Sequence, residues 1–465
     1  SVGESQKALE WRLKLLADSR AANDKSNVSF ALLTLGEQYI LMGESAKALE
    51  CVNEGLMLVH EIMSSAPATE RLRLKDNKAS LLDILGKIHQ FAGDNEKATE
   101  ILRQSIDLHR EADNGDYAAK SATDLGDVYF NQGRPELALD LYSQALAQFQ
   151  KTSVIDGEAR ALAMIGKAHL QLGDYRRAYD ALTRALNIIR ANELRSEEWV
   201  ATLNLADVSE RMGDVEKAAA LLDETLSLSR KISAPEGEAA ALTRLARLAR
   251  KKGDFNQARQ LFEASIRVSE ERRFRVGPHP LKDSFRASLQ SDYEEFTEFL
   301  MQSHEANPRA GDDRIAFEVS ERARARGLLD LLAESRAEIR QGVEPALLEK
   351  RRALQQRLNA KDMAWRQSLN NRNAVDQTGA LAKEIDSLTA DLQLVELQIR
   401  EASPRYAALV RPQPLSATEV QQTLDENTVL LEYSLGEQRS WLWAVTRDSI
   451  SSHKLPRRAE IDAAA

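Results

Sequence analysis

Six charged residues occupy one place in a repeating frame: Glu37, Lys87, Asp127, Lys167, Asp207 and Arg247, alternating in sign without a break. The chemistry open to such a row is ionic recognition. Two readings stand side by side: a groove that holds a peptide of alternating charge, or a ladder of salt bridges between neighbouring units that neutralises itself. At the end of the row Arg244, Arg247, Arg250 and Lys251 recur every three or four residues, one face of a helix. Such a patch suits an acidic peptide, a C-terminal carboxylate, an acidic domain of the same chain, or pairing with Asp292, Glu294 and Glu295 downstream. Covalent and metal chemistry find little to work with. Cys51 is the one cysteine, so there is no internal disulfide and no cysteine-based metal site, and its place on a helix fits a small packed hydrophobe. The seven histidines are scattered without ligand spacing. There is no phosphate-binding glycine loop and no serine nucleophile elbow. No catalytic, cofactor or metal residue is therefore expected.

The elements that position the charged row follow from the glycines. Gly43, Gly93, Gly133, Gly173, Gly213 and Gly253 are 40 residues apart, save a first step of 50, and Ala48, Ala98, Ala138, Ala178, Ala218 and Ala258 follow five residues after each. Gly3 and Ala8 extend the series upstream. A fixed period in this range marks stacked helix–turn–helix units. Each unit carries Leu-Gly or its counterpart: Leu35-Gly36, Leu85-Gly86, Leu125-Gly126, Ile165-Gly166, Leu205-Ala206, Leu245-Ala246. Three residues on stand Tyr39, His89, Tyr129, His169, Ser209 and Ala249, and later a second small residue, Gly55, Ser105, Ala145, Ala185, Thr225 or Ser265. The recurring glycine ends the first helix, the Leu-Gly position lets two helices approach, and the recurring alanine packs where a larger side chain would separate them. Gly115, Gly157 and Gly237 are expected to mark the turns between units, and the ten extra residues near the start to form a longer link around Ser64–Thr69, broken at Pro67.

This pattern resembles the tetratricopeptide repeat, with units of 40 rather than about 34 residues. The expected fold is mainly α: a TPR-type α-solenoid of about six and a half units over residues 1–270, then a helical hairpin and the first strands of an incomplete α/β domain. What the resemblance implies is a protein or peptide partner on the concave face, which the first helices line.

After Gly277-Pro278-His279-Pro280 the residues 271–343 read as connecting long helices, one of them carrying Ser320-Glu-Arg-Ala-Arg-Ala-Arg326 followed by Leu328-Leu-Asp-Leu-Leu332. Residues 344–411 read as an antiparallel coiled-coil hairpin. Leu381, Ile385, Leu388, Leu392, Val395, Ile399, Ala402 and Tyr406 form a seam; Leu347, Leu354, Leu358, Trp365 and Leu369 face it, with the tip at Asn370–Asn373. Pairing within the chain and pairing between two chains both stay open. Pro404, Pro412 and Pro414 end the helical region, and Ser416 with Glu419 has capping-box spacing. Thr428–Leu435, Ser440–Thr446 and Ile450–Leu455 are β-type runs, the first two joined through Gly436-Glu-Gln-Arg439, and a helix begins near Arg457. Three strands without partner helices bury no core, so residues 412–465 are expected to open a larger α/β domain.

The order of parts, above all "SERARARGLLDLL", "SPRYAALVRPQPLS" and "VLLEYSLGEQRSWLWAVT", resembles the bacterial TPR–CHAT proteins. Their CHAT domains are caspase-like cysteine peptidases with a His–Cys dyad in later strand ends. The resemblance implies that the repeats regulate a CHAT domain. It also implies a second reading, the non-catalytic N-terminal part of such a peptidase, whose dyad would lie past residue 465. No dyad residue can be assigned here: the cysteine sits in the repeats, and nothing marks His453. A third reading is a structural oligomer assembled by the coiled-coil arms.

A net charge of −9 argues against wholesale nucleic-acid binding, and no apolar run reaches the ~20 residues needed to span a bilayer. The expected compartment is the cytoplasm, with export left open because the sequence begins at Ser1 in mid-helix. Monomer and dimer are equally open.

Overall fold

A computed structural model describes residues 2–41, 45–276, 282–334, 344–368, 375–402, 415–437 and 439–464. Gly43, the Gly277–Pro280 break, the Asn370–Asn373 tip, Pro404, Tyr406, Pro412, Pro414 and Gln438 lie outside the described residues. Helices α1 (Val2–Ala21), α2 (Lys25–Leu41), α3 (Ser45–Met63), α4 (Ala68–Phe91), α5 (Asn95–Glu111), α6 (Gly115–Asn131), α7 (Pro135–Thr152), α8 (Ile155–Gln171), α9 (Tyr175–Ala191), α10 (Arg195–Arg211) and α11 (Val215–Lys231) come first. They are followed by α12 (Pro235–Lys251), α13 (Phe255–Val276), α14 (Lys282–Ala306), α15 (Asp312–Glu334), α16 (Pro345–Ser368), α17 (Val375–Ala402) and α18 (Ala417–Thr423). Strands β1 (Leu430–Ser434), β2 (Ser440–Val445) and β3 (Ile450–Leu455) precede α19 (Arg458–Ala464). Two compact units result: Ser1–Gly237 with Asn359–Ile385, and Glu238–Leu358 with Asp386–Ala465.

The first unit is a helical solenoid, and its repeating residues account for it. Gly93, Gly133, Gly173 and Gly213 each take a positive φ, between 71° and 87°, so each closes a first helix in the left-handed conformation that glycine enters without a Cβ penalty. The next residue caps the second helix: Asp94, Asp174 and Asp214 accept hydrogen bonds from the backbone N–H of Lys97, Arg177 and Lys217. Ala48, Ala98, Ala138, Ala178 and Ala218 are all fully buried. At the Leu-Gly position the close approach is tight. A Cβ on Gly86 would lie 2.7 Å from Leu102, on Gly126 2.5 Å from Tyr142, and on Gly166 2.5 Å from Leu182. Each of those partners sits sixteen residues downstream on the second helix of the same unit.

Two expectations about the turns do not hold. The turns between units are made by non-glycine residues in the left-handed region: Asn23, Asp113, Ser153, Glu193 and Ser233, all with φ between 49° and 58°. Gly115, Gly157 and Gly237 instead stand at the starts of first helices, where a Cβ would meet Gln148 at 2.7 Å, Phe149 at 2.7 Å and Ser229 at 2.2 Å. They serve packing rather than chain reversal. The ten extra residues also go elsewhere. The link Ser64–Pro67 is short, whereas α3 has 19 residues and α4 has 24, against 17 for most repeat helices. Pro67 stands at the N-cap of α4, a position that needs no N–H.

In the second unit Ala246, Ala249, Ala258, Phe262 and Ile266 of α12 and α13 share one core with Phe296 and Phe299 of α14 and Phe317 of α15. The three strands form an antiparallel meander in the order β1-β2-β3, with Leu430 opposite Val445 and Ser440 opposite Leu455. One face of that sheet presents Trp441, Trp443 and Val445 to the same core. Trp443 is fully buried, donates its indole N–H to the Asp313 carbonyl at 3.1 Å and meets Phe317 edge-on. The expectation that the strands lack partner helices is thus corrected: α14 and α15 cover them, because alternate apolar residues of β2 all point one way. The Ser416–Glu419 capping box opens α18 as its spacing predicts. Leu388, Leu392, Val395 and Ile399 of the proposed seam are buried, as are Leu354 and Leu358, while Ala402 is exposed. Arg351 of α16 pairs with Glu396 of α17.

Candidate recognition face of the repeats

The charged row lies on the first helices. Glu37 is half-buried on α2, Lys87 sits on α4, Asp127 on α6, Lys167 on α8 and Asp207 on α10. Its ion pairing is offset from the expected ladder. Lys87 pairs with Asp124 at 2.9 Å rather than with Asp127, one helical turn away. Arg160 of α8 bridges Asp124 at 3.1 Å and Asp127 at 3.2 Å. Tyr142 donates its hydroxyl to Asp127 at 2.7 Å, while Lys167 lies 5.1 Å over the ring of Phe130. Asp124 is nearly sealed from water, at 3% exposure, which explains why it draws a cation from each side. Burial raises the Asp127 carboxyl above its ordinary range against the Tyr142 hydrogen bond and the Arg160 charge. Burial and Asp127 together raise the Tyr142 hydroxyl.

The basic patch on α12 is turned inward at one position. Arg247 makes a bidentate pair with Glu295 of α14, at 2.5 and 2.6 Å. Arg244 donates to the Ala240 carbonyl of its own helix at 3.3 Å, Arg250 is half-buried, and Lys251 is exposed. Asp292, beside Arg247 and Glu295, is pushed up to about 6, chiefly by burial.

A groove of about 600 Å³ opens on α6, α8 and α10, within the size range of ligand sites. Its apolar lining includes the half-buried Met164, Val200 and Val154, with Ala163, Phe149 and Ile189 largely buried behind them. Its charges are Asp116, Lys120, Asp156, Arg160 and Glu197. Burial first, then the charge of Asp156, raises the Glu197 carboxyl, with Arg160 opposing both. Asp116 accepts from Gln148 at 3.0 Å and Thr152 at 2.8 Å. Lys120 lies 5.7 Å over the Tyr117 ring, and both side chains are exposed.

None of these groove residues is in the charged row first singled out. A signal was available, because Lys120, Arg160 and Val200 each stand seven residues before a row member, two helical turns upstream on the same face. Asp116 and Asp156 are likewise 40 residues apart. Cys51, in turn, is buried, and burial together with Glu54 and Glu50 pushes its thiol up to about 11, which keeps it protonated and unreactive. Among the described residues no His, Cys, Asp and Glu group has metal-site geometry, and no helix is long and apolar enough to cross a membrane.

Comparison with known proteins agrees with the repeat architecture. The tetratricopeptide repeat model matches residues 77–151, 117–191 and 199–271, and a model of anaphase-promoting complex subunit 5 matches residues 3–67. No curated protein matches the chain. Among solved structures, BtubC (BKLC) from P. vanneervenii is 18% identical, with 50% of this chain and 92% of that chain covered and a TM-score of 0.42. A Rap protein complexed with competence and sporulation factor is 14% identical, covering 86% of this chain and 100% of its own, with a TM-score of 0.43. A kinesin light chain TPR-like repeat structure from Podosopora anserina is 22% identical, covering 44% and 96%, with a TM-score of 0.36. Residues 77–191 and 199–271 are tetratricopeptide repeats.

Proposed function

We propose that this chain is a non-enzymatic recognition scaffold: its repeats bind a segment of a partner protein on the first-helix face and regulate an associated CHAT domain. The observation that carries the binding reading is the groove on α6, α8 and α10. It combines an apolar lining with charged residues at its margins, the pairing of burial and orientation that peptide recognition needs. Cys51 is buried and its thiol is held protonated, so it offers no ready nucleophile.

The CHAT part of the proposal has its own support. The stretch from Ser320 to Thr446 carries the resemblance, and its pieces pack on one another. Arg324 of the arginine-rich helix pairs at 3.1 Å with Glu432 of β1, both within that stretch, and Trp443 meets Phe317 of α15, just ahead of it. A packed connector of this kind suits a relay. It equally suits the second reading, in which the chain is the non-catalytic part of a caspase-like cysteine peptidase.

Photo-crosslinking tests the binding reading. Benzoylphenylalanine placed at Lys120 or Asp156 is expected to give partner adducts in extracts of the source cell. The same group at Glu216, exposed on the second helix α11, is expected to give none. Adducts from position 216 alone would reject the first-helix face.

A further inference from the structure

We propose that the groove on α6, α8 and α10 selects a peptide segment that carries a basic side chain, arginine or lysine, next to a bulky aliphatic one. This rests on the binding reading above and names what that face takes.

The charge balance of the groove argues for a cation. Three carboxylates line it, Asp116, Asp156 and Glu197, against Lys120 and Arg160. Arg160 holds Asp124 and Asp127, neither of which lines the groove, and its charge offsets only part of what raises Glu197. Asp116 is bound by neutral donors, Gln148 and Thr152, which orient the carboxylate and leave its charge in place. Asp156 and Glu197 stand in each other's field on adjacent first helices, and that repulsion is part of what raises Glu197. A guanidinium or ammonium between them would relieve it and bring Glu197 back toward the ordinary carboxylate range. An acidic segment would add a further negative charge to three. The apolar lining argues for the aliphatic neighbour. Ala163 and Val200 are too small to fill the groove themselves, and an inserted leucine, isoleucine or methionine would gain contacts with Met164 of α8 and Val200 of α10. The row of alternating charge contributes little here, since Lys87 and Asp127 are spent on Asp124, Arg160 and Tyr142.

A random dodecapeptide phage library panned on the whole immobilised chain tests this. The expected winners carry arginine or lysine beside leucine, isoleucine, methionine or valine. A synthetic winner is expected to bind at least tenfold more weakly when its arginine is replaced by citrulline, a measurement that leaves the protein untouched. The double variant Asp156→Asn/Glu197→Gln is expected to show the same loss and no further loss with the citrulline peptide. Winners rich in aspartate or glutamate, or a winner indifferent to both changes, would overturn the inference while leaving the array a binding scaffold. A library that yields no winner would overturn both readings.

Discussion

Replacing Gly126 by alanine sets two principles against each other. In a helix interior, glycine to alanine gains about 1 kcal/mol from backbone entropy and propensity. At Gly126 the new Cβ would stand 2.5 Å from Cε1 of Tyr142, 2.9 Å from Cδ1 and 3.1 Å from Cζ. Carbon atoms settle at about 3.5–4.0 Å, so the ring has to move by roughly 1 Å. It has nowhere to go: Tyr142 is 1% exposed, and its hydroxyl is tied to Asp127 at 2.7 Å. Overpacking costs about 1–3 kcal/mol, and weakening a hydrogen bond to a charged acceptor adds up to about 1.5–3 kcal/mol. Gly126→Ala is therefore expected to lose up to about 5 kcal/mol net. The decisive arm is the same change in a Tyr142→Ala background, where the clash is gone and alanine should stabilise by up to about 1 kcal/mol. Urea titration followed by far-ultraviolet circular dichroism gives the midpoints. Amide exchange in α6 and α7 localises the effect, since repeat arrays open unit by unit. Stabilisation by Gly126→Ala in both backgrounds would refute the close-approach argument.

Three further outcomes follow from named contacts. His109 is fully buried between Asp76 and Asp83 of α4, at 2.7 and 3.2 Å, with Asn114 bonded to Asp76 and the Tyr117 ring 5.4 Å away. Burial lowers its imidazole, and the two carboxylates more than reverse that, so its folded value lies above the unfolded ~6.5. Stability from this contact is full below ~6.5 and is lost as pH rises through the raised folded value; His109→Gln should abolish that pH slope in urea titrations. Asp292 behaves in the opposite range: its carboxyl at about 6, against ~3.9 unfolded, costs on the order of 2–3 kcal/mol when ionised. Asp292→Asn should therefore stabilise above pH 6, with the gain fading toward pH 4. Trp443→Leu removes the indole bond to Asp313 and the edge contact with Phe317, and thermal melts should report a loss of about 2–4 kcal/mol, because the sheet depends on α14 and α15 for its core.

The repeat architecture was legible because its residues act locally. A glycine that must take a positive φ and an alanine that must vanish into a helix crossing leave one-letter signatures at a fixed period. The strands were legible for the same reason, through β-branched and aromatic runs around Gly436. What escaped the sequence is what depends on neighbours in space. Gly157 reads as a turn residue, yet its role is to clear the Phe149 ring. The partner of Lys87 is Asp124 because that side chain is sealed in the stack, a fact that charge alternation alone does not contain. Trp441 and Trp443 looked unsupported only because α14 and α15 lie more than a hundred residues earlier in the chain. The groove depends on a second position per unit, Lys120, Arg160 and Val200, on the same face as the charged row, and its depth comes from packing that no single repeat position carries.

The proposed recognition of a peptide segment by the first-helix face has a direct readout. Hydrogen–deuterium exchange of the whole chain, with and without a selected peptide, tests it most directly. Slowed exchange is expected in residues 115–131, 155–171 and 195–211, the first helices that line the groove. Slowing confined to the second helices α7, α9 and α11, or to the basic helix α12, would contradict it.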